Sequence, residues 1–215
     1  MYKKYIAVTN LTLCENHQKN INLFMPGSDW YASYLVQIKK IASCEPLAIV
    51  LREKSLSESL YLKLSKDVLK ICEPYNTRVI LHNFFNVAKK LNHPYLHLPL
   101  HVLQNINNSL LSGTDVFTDN LSYAPLLGTS VHSVEDAIIA QKLGASYLFA
   151  GNIYETECKK GLAGRGLSFL HDVCSCVDIL VYAIGGITPA RIGDVIGAGA
   201  KGACMMSWFM NAKNL

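Results

Sequence analysis

Two adjacent glycines lie where a backbone could bind a phosphate group. Gly185 and Gly186 follow an apolar run at residues 181–184 and precede Thr188 and Pro189, a pair typical of a helix start. Glycine lets the backbone approach a phosphate closely, and N–H groups near a helix start can bind its oxygens. The alternative is a tight turn that binds no ligand.

A second loop has the same setting. The apolar run at residues 202–205 leads into Met206 and Ser207. Considered together, the two loops favour phosphate binding over a simple turn. The predicted phosphate-binding residues are therefore Gly185, Gly186, Met206 and Ser207.

A polar, glycine-rich loop at residues 155–166 carries three basic side chains, Lys159, Lys160 and Arg165. It directly follows another apolar run, and such a loop can close over a bound anion while its cations donate hydrogen bonds. We predict these three residues as ligands of the anion. An exposed charged loop without a ligand is the alternative.

Two further positions could contribute charge or a proton. Arg52 and Lys54 alternate at the end of an apolar run, so one of them could point toward a ligand, although a strand-end salt bridge would explain them equally. His132 follows another run and could serve as an acid or base. The alternative for His132 is a structural or exposed histidine.

Three histidines at a spacing of four resemble zinc ligands on a helix, namely His93, His97 and His101. Pro94 and Pro99 would break that helix, and the residues around His97 have the pattern of a strand. We therefore predict no metal site there.

The elements that would position these residues follow a repeated order. Short apolar or β-branched runs alternate with longer segments of helical spacing, which indicates βα units and a parallel sheet. Eight such runs match the strand number of a (β/α)8 barrel, in which phosphates commonly bind after the last two strands. The predicted strands are Tyr5–Thr9, Leu47–Leu51, Arg78–Leu81, Tyr95–Leu98, Leu127–Ser130, Tyr147–Ala150, Leu180–Ile184 and Gly202–Met205.

Helix starts are marked in the sequence at three places. Residues 55–58 and 133–136 have the form of a capping box, and Thr188 suits an N-cap before Pro189. An amphipathic helix is predicted near Tyr31–Ile41, and a short helix plus a loop within residues 100–126. We expect little of a last helix after the eighth strand.

Composition limits the class of protein. The 215 residues are 50% hydrophobic, which is enough to bury a core in one domain, residues 1–215. A net charge of +4 without a basic cluster argues against nucleic-acid binding and suits a small phosphorylated substrate. Seven cysteines without CxxC pairs, and no signal or membrane segment, predict a cytoplasmic protein with free thiols.

The motifs as a whole resemble the TenI and thiamin phosphate synthase superfamily, and TenI, a thiazole tautomerase, most closely. The resemblance is most specific in the loop at residues 155–166 and implies a (β/α)8 TIM barrel, often dimeric, with a thiazole phosphate as ligand. It also adds Asn83 to the substrate-binding residues. The segments that carry the resemblance are residues 128–133, 150–166 and 183–189, and more loosely 51–54, 81–83 and 97–99.

The resemblance separates two activities by their requirements. Thiamin phosphate synthase joins hydroxymethylpyrimidine pyrophosphate to thiazole phosphate, with Mg²⁺ held by carboxylates because the departing pyrophosphate is highly charged. The family has aspartates at the positions that are Phe84 and Val102 here. Since neither side chain can bind Mg²⁺, synthase activity would need altered metal dependence.

TenI moves a proton on a thiazole carboxylate phosphate and needs no metal. The resemblance places its acid-base histidine at Asn152, and asparagine cannot carry a proton at neutral pH. His132 could substitute, and Cys158 is a poorer candidate. The candidate catalytic residues are therefore His132 and Asn152.

Our hypothesis is a TenI-like enzyme of thiamin biosynthesis that binds a thiazole phosphate and tautomerises it. The first alternative is a thiamin phosphate synthase, a transferase that would require Mg²⁺; the main hypothesis requires no cofactor. The second is a non-catalytic thiazole phosphate-binding or regulatory protein. Expected partners are a small phosphorylated substrate and a second copy in a homodimer, with neither nucleic acid nor membrane.

Overall fold

The computed structural model describes residues 2–14, 21–112, 123–156 and 161–211, with the side chains of 109–112 left aside. In this part of the chain, no helix combines the length and the apolar character needed to cross a membrane.

Eight strands form a closed barrel in chain order, with parallel pairing between neighbours. Every strand end lies within one residue of its predicted position, so the prediction of a (β/α)8 barrel is confirmed. The strands are β1 Tyr5–Val8, β2 Ala48–Leu51, β3 Arg78–His82, β4 Tyr95–Pro99, β5 Leu126–Val131, β6 Tyr147–Gly151, β7 Leu180–Ile184 and β8 Gly202–Met205.

A helix follows each strand. The segment after β4, predicted as a short helix plus a loop, begins with a helix of 13 residues. The helices are α1 Asp29–Ser43, α2 Glu58–Cys72, α3 Phe85–Lys90, α4 Leu100–Ser112, α5 Val134–Lys142, α6 Gly166–Cys176, α7 Ile192–Gly197 and α8 Ser207–Asn211, with 3-10 turns at Leu11–Leu13, Ile21–Leu23 and Pro189–Arg191.

The helix caps agree with the sequence in one case and correct it in two. The Ser133 hydroxyl accepts a hydrogen bond from the Asp136 N–H at 3.0 Å, as predicted for α5. For α2 the cap is Ser57, two residues later than the predicted start at Ser55. Thr188 occupies the N-cap position of a 3-10 turn but makes no side-chain capping bond.

The chain divides into two compact units, Met1–Val87 with Met205–Leu215 and Ala88–Cys204. In the first unit, α1 and α2 bury one face each, and burial of each large side chain stabilises the fold by about 1.5–3 kcal/mol. A single domain over residues 1–215 stays a prediction. The buried residues of these two helices include Tyr34, Ile38, Ile41, Tyr61, Leu64 and Val68.

In the second unit, aromatic rings fill the space beside β4, β5 and β6. The ring of His97 stacks on Phe149, with centroids 4.2 Å apart, and its Nε2 lies 3.0 Å from the Ser130 hydroxyl. Gly128 leaves room for the ring of Tyr147, which a Cβ at that position would overlap. His97 lies in β4, a strand as predicted, and its ring contributes to core packing.

Candidate functional site

The Gly185–Gly186 loop has both of its carbonyl groups engaged. Both glycines have positive φ, 101° and 63°, a conformation that side chains with a Cβ rarely adopt. The Tyr154 N–H donates to the Gly185 carbonyl at 3.1 Å, and the Arg191 guanidinium donates to the Gly186 carbonyl at 2.7 Å. The loop conformation is therefore fixed from two sides.

The segment after β6 packs directly against this loop. A Cβ on Gly185 would lie 2.6 Å from the Asn152 Cβ, and one on Gly186 would overlap the Glu155 carbonyl oxygen. Close packing alone thus requires glycine at both positions. The two glycines therefore do not by themselves indicate a phosphate, and phosphate binding would depend on where the N–H groups of the loop point.

Asn152 forms hydrogen bonds within the loop that follows β6, which is called the β6 loop below. Its side chain is 6% exposed, and its amide nitrogen lies within hydrogen-bonding distance of the Tyr154 carbonyl (3.3 Å) and the Ala163 carbonyl (3.5 Å). The Arg165 N–H returns to the Asn152 carbonyl at 2.9 Å. These contacts give the predicted catalytic residue Asn152 a clear positioning role.

The basic residues of the β6 loop are described only in part. Arg165 is exposed, immediately precedes α6, and has its guanidinium carbon 5.4 Å from the centroid of the Phe169 ring. Lys159 and Lys160, and also Cys158, lie outside the described residues. Their roles at the anion stay predictions, as does that of Arg165.

His132 lies beside the residue that precedes Asn152. It is exposed at the end of β5, and its Nδ1 is 2.5 Å from the Gly151 carbonyl oxygen. Because a carbonyl only accepts, this contact places a proton on Nδ1 and directs Nε2 elsewhere. His132 is therefore held in an orientation in which Nε2 could exchange a proton.

In the first unit, the buried carboxyl group of Glu53 is surrounded by three hydrogen-bond donors, a group called the Glu53 cluster below. Its side chain is 2% exposed and accepts hydrogen bonds from the Thr9 hydroxyl (2.5 Å), the Tyr34 hydroxyl (2.7 Å) and the Leu11 N–H (2.9 Å). Burial raises the pKa of Glu53 to about 7, although the three donors and the charge of Arg52 oppose that rise. The cluster ties the end of β2 to the segment after β1.

Arg52 and Lys54 flank Glu53 in the sequence, and their charges act on His82. Arg52 is half-buried, whereas Lys54 is exposed. Burial, and next the positive charges of Arg52 and Lys54, lower the pKa of the buried His82 to about 3. The two cations therefore create a positive potential at the ends of β2 and β3, which would favour an anion.

The two positions that carry metal-binding aspartates in the resembling family hold apolar side chains here. Phe84 stacks on Tyr61, and Val102 is a half-buried aliphatic residue of α4. Mg²⁺ takes oxygen ligands, so these positions do not fit the metal, whereas the neighbouring Asn83 is exposed and has an amide oxygen. Across the described ranges, no group of three His, Cys, Asp or Glu residues is arranged to hold a metal ion.

The second predicted phosphate loop follows β8. Met206 is half-buried, and its carbonyl accepts from the Met210 N–H at 2.9 Å. Ser207 is exposed and begins α8, a helix of five residues. Phosphate binding by these two residues stays a prediction.

Three residues that are central to these contacts were not singled out from the sequence: Glu53, Tyr154 and Arg191. The alternation of Arg52 and Lys54 could have indicated Glu53, since the residue between two outward side chains points inward. Arg191 lies five residues after Gly186, and its long side chain can reach the carbonyl groups of the glycine pair. No comparable sequence signal distinguishes Tyr154.

Comparisons with known proteins agree with one another. The family model TMP-TENI, described as "Thiamine monophosphate synthase", matches residues 23–209. "Thiamine-phosphate synthase 2" of Streptococcus pneumoniae is 28% identical over 192 residues, covering 87% of this chain and 85% of the relative. "Thiamine-phosphate synthase" of Clostridium acetobutylicum is 29% identical over 167 residues, covering 78% and 75%.

A solved structure supports the fold alone. The "thiamine phosphate pyrophosphorylase" of Pyrococcus furiosus has a TM-score of 0.74 at 21% identity, covering 99% of this chain and 90% of that one. The family model spans most of the chain and includes the loops after β2, β6 and β7. The chain therefore belongs to the thiamine monophosphate synthase family.

Proposed function

We propose that this protein acts on a thiazole phosphate in thiamin biosynthesis. Of the two candidate reactions, we propose thiamine-phosphate synthesis first. In that reaction the thiazole nitrogen displaces pyrophosphate from the pyrimidine methylene carbon. The observation that carries the proposal is the family match over residues 23–209, with relatives that are named thiamine-phosphate synthases. These names favour the synthase over the tautomerase.

Charge around the described strand ends supports binding of phosphorylated substrates. Burial, and after it the positive charges of Arg52 and Lys54, lower the pKa of His82, and the charges of these two side chains would stabilise a departing pyrophosphate. The side chains of Phe84 and Val102 offer no ligand to a metal ion. Neutralisation by side-chain cations is the chemistry that this chain supplies.

Tautomerisation is the second candidate, and one observation favours it. The contact between His132 Nδ1 and the Gly151 carbonyl leaves Nε2 as the group that could move a proton on a ring carbon. Asn152, at the position of the acid-base histidine of TenI, could orient the ligand but not protonate it. A cytoplasmic location and a homodimer remain further predictions.

A paired assay separates these proposals. Purified protein is given hydroxymethylpyrimidine pyrophosphate with thiazole phosphate, with and without Mg²⁺, and separately the thiazole carboxylate phosphate. We expect thiamin phosphate in the first assay. Tautomerised product alone, lost in His132→Ala and increased in Asn152→His, would select the second candidate. Binding of thiazole phosphate without either product would select a non-catalytic protein, and no binding would refute the proposal.

A further inference from the structure

Arg191 reaches back from the turn after β7 to the glycine pair. Its Nη1 donates to the Gly186 carbonyl at 2.7 Å, although the residue itself is exposed. The guanidinium carbon lies 4.3 Å from the centroid of the Tyr154 ring, within the range of a cation–π contact. One side chain thus joins the loop after β7 to the loop after β6.

These contacts determine which polar groups of the loop remain available. In a trans peptide, the N–H points away from the C=O of the same unit. The Gly185 carbonyl is bound by the Tyr154 N–H and the Gly186 carbonyl by Arg191, so the N–H groups of Gly186 and Ile187 point away from those partners. Two neighbouring donors that are held in this way suit an anion.

We propose that Arg191 is a positioning residue, which together with the Tyr154 ring holds the Gly185–Gly186 loop ready to bind the phosphate of the ligand. The inference rests on the proposed function, since the phosphate is that of the thiazole phosphate. Arg191 acts through the loop conformation, because its Nη1 donates to the Gly186 carbonyl and its guanidinium lies over the Tyr154 ring.

Arginine is required here for its shape as well as for its charge. The planar guanidinium can stack on a ring and donate from its edge at the same time, whereas a lysine ammonium has no plane to stack. Tyr154 contributes its ring face to this contact. Loss of the ring should therefore weaken the loop, and loss of the hydroxyl should not.

The test measures affinity for two probes, thiazole phosphate and its dephosphorylated alcohol, by calorimetry. Arg191→Met should weaken binding of the phosphate about tenfold or more while leaving the affinity for the alcohol unchanged. Arg191→Lys should recover only part of the loss. Tyr154→Leu should resemble Arg191→Met, and Tyr154→Phe should resemble the wild type.

The matched control is Lys201→Met, which removes one exposed positive charge from the same unit. The backbone N–H of Lys201 donates to Val181, away from the glycine loop. This variant should keep wild-type affinity for thiazole phosphate. A loss equal to that of Arg191→Met would mean that overall charge matters, and would overturn the inference.

Folding is checked by thermal unfolding, and loop order by amide hydrogen exchange at residues 185–187, which should speed up in Arg191→Met. Wild-type affinity in Arg191→Met, or equal losses for phosphate and alcohol, would overturn the inference while leaving the proposed function intact. Wild-type protein that binds neither probe would refute the proposed function itself, and the inference with it.

Discussion

The ring of Phe84 stacks on Tyr61, with centroids 4.0 Å apart and planes inclined by 21°. The Tyr61 hydroxyl donates to the Leu51 carbonyl at 2.6 Å and accepts from the His82 N–H at 2.9 Å. Phe84 therefore covers a phenol that ties the end of β2 to the end of β3. Phe84, where the resemblance implies a metal-binding aspartate, therefore has a packing role in this chain.

Replacement of Phe84 by aspartate should destabilise the protein by about 1–3 kcal/mol. The variant loses the stacked pair, which contributes about 0.5–1.5 kcal/mol beyond its buried area, and part of that area as well. Urea unfolding measures the change. Phe84→Tyr is the control, since it keeps the ring and should stay close to the wild type. An unchanged Phe84→Asp would show that the stack contributes nothing.

The same chemical change at two tyrosines should have opposite effects. Among the described residues, the buried Tyr147 hydroxyl has no hydrogen-bond partner, whereas the Tyr61 hydroxyl has two. Tyr147→Phe should raise the free energy of unfolding by up to about 1 kcal/mol, and Tyr61→Phe should lower it by about 1–3 kcal/mol. Thermal unfolding checks both. A destabilised Tyr147→Phe would reveal an unrecognised partner.

The sequence predicts the strands well because each is a short apolar run between polar segments, a local property. It predicts the Gly185–Gly186 turn for the same reason. It cannot predict the Glu53 cluster, since the donors Thr9 and Tyr34 are 44 and 19 residues away and meet the carboxyl only through packing. The roles of side chains thus depend on tertiary contacts that no local pattern encodes.

The candidate site is harder to predict than the fold for a related reason. The resemblance implies aspartates at positions 84 and 102 and a histidine at position 152, where this chain has Phe84, Val102 and Asn152. The structure gives Phe84 and Asn152 local packing or hydrogen-bonding partners instead. The role of each of these residues therefore depends on its neighbours in the structure, which a family resemblance does not show.

Gly186→Ala should both destabilise the protein and abolish phosphate binding. The φ of Gly186 is 63°, and an added Cβ would overlap the Glu155 carbonyl oxygen, which belongs to the backbone and cannot rotate away. We expect a loss of about 2 kcal/mol or more in unfolding free energy. Calorimetry with thiazole phosphate follows the binding.

Gly193→Ala in α7 is the matched control for that prediction. Nothing lies within 4 Å of a Cβ at Gly193, and its helical position favours alanine by about 0.5–1 kcal/mol. This variant should be as stable as the wild type or more so, and should bind normally. If Gly186→Ala were as stable as Gly193→Ala and bound thiazole phosphate as well, the described packing of the loop after β6 on the loop after β7 would be wrong.

Glu53 and His82 should give the protein two opposing pH dependences between pH 4.5 and 6.5. The pKa of Glu53 rises from 4.5 to about 7, so as pH increases the unfolded chain loses a proton that the folded chain keeps, and stability falls. The pKa of His82 falls from 6.5 to about 3, so as pH decreases only the unfolded chain gains a proton, and stability again falls. In the wild type the two slopes largely cancel.

Single variants should uncover each slope. In His82→Gln the Glu53 effect remains, so the free energy of unfolding should decrease as pH rises through this window, relative to wild type, by up to about 1.4 kcal/mol per pH unit. In Glu53→Gln it should increase with pH by a similar amount. Urea unfolding measured at steps of half a pH unit gives these slopes separately from any overall destabilisation by the substitutions. Slopes of the same sign in both variants would mean that burial does not hold Glu53 and His82 neutral in the folded protein.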